Sequence, residues 1–358
     1  TSSSEHTHPS ATILQKFLSS AIGTVRYILT QSYWIYTNKV EVDFRMSSSI
    51  NELYLIGNGF DMHHCISSSY NNFKDWLEDK DAVVFNRLFQ VYEFDGGDLW
   101  SSLEENLGNI PIEAILEDYV SSPFMIFFTQ VDGSRGCFNL DDYSDGPIPE
   151  VGYTLNRLYF HIEQYFKEWV LQLGAPDYNQ RVQINKNNSY FINFNYTTTL
   201  ETAYGINRGS ICYIHGCAAL NQYLIFGHNQ TPETIKNKWH FDTFTNEKEQ
   251  LEEAVNDMGT LYKDVNAIIK NNNEIWKKLS DIDTIHVWGL SLSDVDFPYL
   301  RHIKSIVNPQ AKWEFSWYNE NDKKRIENVI EQLSLRNTSL IQLSDIILPH
   351  PKQLNLFE

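Results

Sequence analysis

Apolar residues recur along the chain in two patterns, one typical of strands and one typical of helices. Short apolar runs predict strands at residues 53–56, 189–194, 212–214, 223–226, 284–288, 312–317 and 340–343. Apolar residues at three- and four-residue spacing predict helices through Phe73 and Leu77, over residues 153–173, between residues 246 and 280, and over residues 322–333. Because strands alternate with helices, the predicted fold is α/β and Rossmann-like, with a mostly parallel sheet and helices on both faces.

The same pattern divides the chain into two parts. Residues 1–45 form an N-terminal extension of unassigned role, in which apolar residues make one amphipathic helical stripe. Lys16 and Arg26 interrupt this stripe, so it falls short of the roughly 20 apolar residues that a membrane span needs. Residues 46–358 are predicted to form a single α/β domain. Helical insertions are predicted near residues 80–180 and 230–280. Periodicity is weak only from about residue 80 to 150, which predicts an irregular or partly helical segment there.

Composition narrows the classes of function. The chain has 28 Lys and Arg residues against 46 Asp and Glu residues, a formal net charge of −18, which argues against nucleic acid as a partner. The four cysteines are too few and too scattered for a disulfide framework, so we expect a reducing compartment, by default the cytoplasm. Because the N-terminal stripe is too interrupted to span a bilayer, we expect no membrane partner. Cys212 and Cys217 flank His215, but no second cysteine pair completes a zinc site, so we expect buried thiols and no metal.

Polar and glycine-rich motifs follow several predicted strands, at the edge of a parallel sheet where ligands bind. The first is Gly57-Asn58-Gly59-Phe60-Asp61, which joins a strand to a helix. Gly57 allows a tight turn, and Gly59 lets the backbone approach a pyrophosphate at the N-terminus of the helix. The motif lacks the third glycine of a dinucleotide loop, so an ordinary strand-to-helix turn is the alternative.

Two further motifs carry amides and an imidazole. Asn193 and Asn195 stand at alternate positions, so both side chains point to one face of the strand end, where amides orient a water molecule or a ribose hydroxyl. The alternative is capping of the following helix, which Thr197 or Thr198 equally provides. His215 ends another predicted strand and suits general acid or base chemistry, although a single histidine is more often structural.

The last motif, residues 289–296, again joins a strand to a helix. Gly289, Ser291, Asp294 and Asp296 supply a tight turn, a hydroxyl and carboxylates. These groups suit contacts with the ribose and phosphates of a nucleotide. The alternative is that a serine or an aspartate in this motif caps the next helix.

Five motifs follow one another along the chain: GNGFDMHHCISSSYNNF, NFNYTTTLE, IHG, FGHN and GLSLSDVDFPYL. Taken in this order, they resemble the AbiH family of bacteriophage abortive-infection proteins over about residues 52–345. The same order is similar, more distantly, to sirtuin-like NAD-consuming domains. That resemblance implies a phosphate loop at Gly57 and Gly59, a catalytic Asn at Asn195, a catalytic His at His215, and at Ser291 a hydroxyl beside the adenosine half of NAD.

The chain departs from the sirtuin-like pattern in its polar residues and its spacing. Thr197 stands where those domains have Asp, and Asp61 stands where they have Ser. The separation of Asn195 and His215, 20 residues, is short. No zinc module with paired cysteines is present, which argues against deacylation.

These resemblances imply an abortive-infection effector in the bacterial cytoplasm that hydrolyses the nicotinamide–ribose bond of its substrate, NAD. Asn195 then orients a water molecule or a ribose hydroxyl, His215 accepts a proton, and Asp61 holds the ribose or stabilises developing charge. A phage-derived trigger and a homo-oligomer are further expectations.

Two alternatives stay open on the sequence. One is a metal-dependent nuclease or phosphohydrolase, whose divalent ion is held by Asp61, His63 or His64, Asp294 and Asp296. The other is a nucleotide sensor without catalytic activity, in which the loop binds a signal and the insertions contact a partner.

Overall fold

The computed structural model describes residues 50–92, 98–109, 148–238 and 261–349. The predicted N-terminal extension, residues 1–45, lies outside the described residues. Parts of both predicted insertions also lie outside them, and so do the first residues of the helical stripe predicted between residues 246 and 280.

Six parallel strands form one sheet in the described part of the chain. The strands are β1 (Glu52–Ile56), β2 (Ser189–Asn193), β3 (Ile211–Tyr213), β4 (Thr284–Trp288), β5 (Lys312–Ser316) and β6 (Thr338–Ile341). Their order across the sheet is β3-β2-β1-β4-β5-β6, which confirms the α/β prediction. The chain runs outward from β1 through β2 and β3, returns to the other side of β1, and continues outward through β4, β5 and β6. The order therefore reverses between β1 and β4, which is where open α/β sheets bind ligands.

The prediction of a strand at residues 223–226 is wrong. These residues form no strand; their hydrogen bond to the chain near β3 runs from the amide of Ile225 to the carbonyl of His215, at 2.8 Å. Leu224 and Phe226 are buried against helices, and the ring of Phe226 stacks on Phe166 with centroids 4.2 Å apart. The apolar run was real, but helix packing rather than sheet pairing buries it.

Helices surround the sheet and connect its strands. In the described residues they are α1 (Asn58–His63), α2 (Tyr70–Lys80), α3 (Ala82–Tyr92), α4 (Leu103–Asn106), α5 (Ile148–Gln172), α6 (Thr199–Tyr204), α7 (Pro232–Lys238), α8 (Val265–Asn271), α9 (Asn273–Trp276), α10 (Phe297–Ile306) and α11 (Glu320–Gln332). The predictions at residues 153–173 and 322–333 are confirmed by α5 and α11, and α8 and α9 form a helix pair before residue 280. None of these helices combines the length and the apolar character needed to cross a bilayer.

Buried side chains gather in three clusters. Leu53 and Leu55 of β1 join the cluster on one face of the sheet, together with apolar residues of α8 to α11, while Tyr54 and Ile56 join the cluster on the other face. Alternate residues of β1 therefore point to opposite faces, and both faces are covered. The third cluster joins α2, α3 and α5 to residues that follow β2 and β3, so a helical layer lies against this edge of the sheet.

Candidate active site

A cavity of about 740 Å³ lies at the carboxyl ends of the strands, where the chain order reverses. The loops after β1, β2, β4 and β5 line it, and the helical layer contributes side chains from α2, α5 and the segment around α4. The volume falls within the range of small-molecule and cofactor sites, about 300–1,000 Å³. The fold thus brings most of the predicted site residues around one cavity.

Packing between two loops explains the glycines after β1. The amide of Gly59 donates a hydrogen bond to the carbonyl of Gly289 at 2.8 Å, and the amide of Gly57 donates to the carbonyl of Trp288 at 2.9 Å. A Cβ added to Gly57 would lie 2.5 Å from the Gly289 carbonyl oxygen, and one added to Gly59 would lie 2.8 Å from the Gly289 Cα. The loop after β1 therefore needs glycine in order to contact the loop after β4. The backbone amide of Gly59 already donates to Gly289 and so does not point freely to a ligand. A phosphate contact near Gly59 stays a prediction.

Three predicted ligand-binding residues lie away from the cavity lining. Phe60 is fully buried in the core, where its ring packs against His64 and Trp288. Asn193 organises its own loop: its Oδ1 accepts from the Asn195 amide at 3.0 Å, and its Nδ2 donates to the carbonyl of residue 197 at 3.3 Å. Asp294 is exposed to solvent. Asn58 does line the cavity and exchanges two hydrogen bonds with residue 68.

Asp61 and Asn195 meet at the ends of β1 and β2. Asp61 is 1% exposed, and its carboxylate accepts hydrogen bonds from the hydroxyls of Thr197 at 2.6 Å and Thr199 at 2.7 Å. Asn195 donates from Nδ2 to the carbonyl of Gly57 at 3.0 Å. Burial raises the pKa of Asp61 to about 6, and hydrogen bonds from Thr197, Thr199 and Asn195 oppose that rise. A carboxylate with a pKa near neutrality suits a role in catalysis.

His215 lines the same cavity from the end of β3. Its side chain is buried, Nε2 lies 3.1 Å from the hydroxyl of Tyr299, and the ring also hydrogen-bonds to the backbone of Phe194. Burial lowers the pKa of His215 well below its ordinary value, the nearby ammonium of Lys263 lowers it further, and the bond to Phe194 opposes both. The imidazole is therefore neutral at physiological pH.

The loop after β4 carries the fourth predicted motif. Ser291 donates from its hydroxyl to the carboxylate of Asp296 at 2.6 Å, and both residues line the cavity. Asp296 occupies the N-cap position of α10, but its side chain makes no capping hydrogen bond, so capping does not account for it. Burial raises the pKa of Asp296, while the ammonium of Lys263 and the Ser291 hydroxyl oppose the rise. Gly289 adopts a positive φ of 67°, which favours glycine.

Sequence reasoning missed a buried ionic cluster in the cavity wall. The Nζ of Lys263 lies 2.8 Å from Oε2 of Glu104, and Oε1 of Glu104 accepts hydrogen bonds from the hydroxyls of Tyr70 at 2.7 Å and Tyr196 at 3.3 Å. The Lys263 side chain is only 2% exposed, so this charge lies in the cavity wall and not on the solvated surface.

The FGHN motif, residues 226–229, is the sequence signal that marks this cluster. Gly227 has a φ of 139°, and a Cβ there would lie 1.9 Å from the carbonyl oxygen of Leu261. Immediately beyond this contact, the backbone amide of Lys263 donates a hydrogen bond to the backbone carbonyl of His228. This pairing of two distant segments holds Lys263 at the cavity.

The structure does not assemble the residues of the proposed metal site. The ring of His63 contacts the carbonyl of Gln180 at 2.9 Å, while the ring of His64 contacts the carbonyl of residue 60 and the hydroxyl of Tyr204, both at 2.7 Å. Within the described ranges, no three His, Cys, Asp or Glu residues are grouped as a metal ion requires. Cys212 and Cys217 are buried free thiols, and burial raises their pKa values to about 12 and about 11.

Comparison with known proteins identifies the family. No curated protein and no solved structure shows significant similarity to the chain. A family model described as bacteriophage abortive infection AbiH matches residues 53–317, a range that contains all five motifs named above. Since this match spans well over half of the 358 residues, the chain belongs to the AbiH family of bacteriophage abortive-infection proteins.

Proposed function

We propose that this protein acts in abortive infection by hydrolysing the N-glycosidic bond between nicotinamide and ribose in NAD. The observation that carries the proposal is the convergence of Asp61, Asn195 and His215, from the ends of three adjacent strands, on one cavity at the switch point of the sheet. Family membership supports the role in phage defence. The sirtuin-like order of the motifs supports NAD as the substrate.

To hydrolyse this bond, the protein chiefly has to orient the nucleotide, deliver a water molecule and stabilise charge. Nicotinamide leaves with the bonding electron pair, positive charge develops at the ribose C1′, and a water molecule attacks C1′ and loses a proton. Asp61 is mostly ionised above pH 6, so its charge stabilises the developing cation. Asn195 orients the water molecule or a ribose hydroxyl, and the neutral imidazole of His215 accepts the proton.

The rest of the lining suits the adenosine half of the substrate. Ser291 and Asp296 offer a hydroxyl and a carboxylate on the β4 side of the cavity, where ribose hydroxyls can donate and accept hydrogen bonds. Tyr318, in the loop after β5, is 86% exposed at the same cavity and offers an aromatic face to a base.

The direct test is incubation of the purified chain with NAD, followed by chromatography for nicotinamide and ADP-ribose. We expect both products in equal amounts, at the same rate with and without a chelator. Activity that a chelator abolishes would instead favour the metal-dependent hydrolase. NAD binding without product would favour the nucleotide sensor.

A phage-derived trigger or assembly into an oligomer is also part of the proposal, so the same reaction needs a test in cells. Bacteria that produce the protein should lose NAD after infection, and bacteria that produce the Asn195→Ala variant at equal abundance should retain it. Equal NAD levels in the two infected cultures would contradict the proposed reaction.

A further inference from the structure

The ion pair between Glu104 and Lys263 is largely buried, which is unusual for two charged side chains. Taking an ammonium and a carboxylate out of water is costly, and buried ion pairs contribute little net stability in general. Here Lys263 is 2% exposed and Glu104 is 16% exposed, yet both line the cavity. A pair in this setting is better explained by recognition of a ligand than by stabilisation of the fold.

The pair lies beside the predicted catalytic residues. Tyr196 connects the two groups: it follows Asn195 in the loop after β2, its hydroxyl contacts Glu104 at 3.3 Å, and its ring centroid lies 6.4 Å from that of His215. The ammonium of Lys263 is also close enough to His215 to lower its pKa. A group bound at the pair is therefore adjacent to the position proposed for bond cleavage.

Hydrogen-bonding capacity remains at both members of the pair. A carboxylate offers about four acceptor positions, and in the described part of the chain Glu104 uses three, for Tyr70, Tyr196 and Lys263. An ammonium has three donors, and among the described residues Lys263 donates to Glu104. The pair thus presents an acceptor and a donor side by side.

This arrangement complements a primary carboxamide, whose NH₂ donates and whose carbonyl accepts. The hydroxyls of Tyr70 and Tyr196 contact Glu104, and three further aromatic side chains line the same cavity: Trp100, Phe166 and Trp169. Such walls favour a flat heteroaromatic ring. The proposed leaving group, nicotinamide, combines a ring of this kind with a primary carboxamide.

We propose that Glu104 and Lys263 form a specificity subsite that binds the carboxamide of the pyridine ring, with the amide NH₂ donating to Glu104 and the amide oxygen accepting from Lys263. The inference rests on the proposed function, whose leaving group it identifies. It assigns Glu104 the task of rejecting nicotinic acid, because a ligand carboxylate placed there would face the Glu104 carboxylate with no proton to donate.

The test is calorimetric titration of the full chain with nicotinamide and, separately, with nicotinic acid. We expect nicotinamide to bind about tenfold or more tightly than nicotinic acid, since one unfavourable buried polar contact costs about that factor. Glu104→Gln should bring the two affinities within about threefold, because a neutral side chain no longer repels the acid. Glu168→Gln is the matched control: its ion pair with Lys80, at 2.5 Å, is exposed and lies outside the cavity.

Thermal unfolding of each variant shows whether it folds. If Glu104→Gln does not fold, the double variant Glu104→Gln/Lys263→Met removes both charges together and so leaves none unpaired. Equal affinities in the wild type, or an unchanged preference in a folded variant of Glu104, would overturn the subsite.

NAD hydrolysis measured on the same samples separates this inference from the proposed function. Selective binding of nicotinamide that responds to Glu104→Gln, without hydrolysis by the purified chain and without NAD loss in infected cells, would refute the reaction and support the subsite. Hydrolysis by a protein whose ligand preference ignores Glu104→Gln would refute the subsite and leave the reaction standing.

Discussion

At the scale of single residues, Asn195 and His215 carry the clearest prediction. Both are buried and both line the cavity, at the ends of neighbouring strands. Asn195→Ala and His215→Ala should each slow NAD hydrolysis by about 10²–10⁴-fold, the usual contribution of a group that positions or accepts a proton. The double variant should be little worse than either single variant, because residues that act as one unit give non-additive losses. Initial rates of nicotinamide release measure all three.

Two control variants distinguish a catalytic role of Asn195 and His215 from a purely structural one. Asn308→Ala removes a hydrogen bond to Asp283 at the opposite edge of the sheet, and His302→Ala removes a partly buried imidazole of α10 outside the cavity. Both should keep wild-type specific activity. If His215 were only structural, His215→Ala would lower the melting temperature and leave the activity of the folded fraction normal.

Asp61 predicts a pH dependence of stability. Its folded pKa of about 6 exceeds the ordinary value of 3.8, so ionisation is less favourable in the folded state than in the unfolded chain. The contribution of Asp61 to stability is therefore fully present below pH 3.8 and is lost as pH rises through 6. Relative to Asp61→Asn, the wild type should lose about 3 kcal/mol in the free energy of unfolding across this window.

Urea unfolding of both proteins between pH 4 and pH 8 measures that difference. Asp294→Asn, which changes an exposed carboxylate outside the cavity, is the control and should follow the wild type. A difference between wild type and Asp61→Asn that does not vary with pH would contradict the shifted pKa.

At the scale of elements, the contact between the loops after β1 and β4 predicts how glycine substitutions behave. In Gly59→Ala the new Cβ would lie 2.8 Å from the Cα of Gly289, a backbone atom that cannot move aside alone. We expect a loss of about 1–3 kcal/mol in the free energy of unfolding, as for other overpacked sites. Denaturant unfolding measures it.

Gly174 offers the control for that substitution. It follows α5, and a Cβ there meets nothing within 4 Å. Gly174→Ala should be neutral or slightly stabilising, since alanine reduces the entropy of the unfolded chain. Equal stabilities for Gly59→Ala and Gly174→Ala would show that the loops can separate at little cost.

At the scale of the whole molecule, the sheet predicts a gradient of stability. All five residues of β2 and four of five in β1 are buried, whereas β6 lies at the edge and none of its four residues is fully buried. Amides of β1 and β2 should exchange with deuterium at least about tenfold more slowly than those of β6, because edge elements open without global unfolding. Hydrogen-exchange mass spectrometry measures this, and equal protection of β1 and β6 would contradict it.

Much of the fold could be predicted from the sequence alone, because its signals are local. Apolar runs ending in polar residues located all six strands of the described sheet to within two residues, and the alternation with helices determined a parallel sheet. A parallel sheet places all carboxyl ends at one edge. That is why Asp61, Asn195, His215 and Ser291 could be predicted to share a site before any distance was known.

The tertiary structure alone decided what depends on contacts between distant segments. The apolar run at residues 223–226 looks like a strand, but its burial against α5 is a property of the folded chain. Gly59 looks like a phosphate-binding glycine, and only the fold shows a second reason for glycine there, the close contact with Gly289, 230 residues away. Lys263 looks like surface charge, yet its pairing with Glu104 places it in the cavity wall. The residues next to these positions in the sequence do not show which distant residue each one contacts, because only the packing of the whole chain brings the contacting residues together.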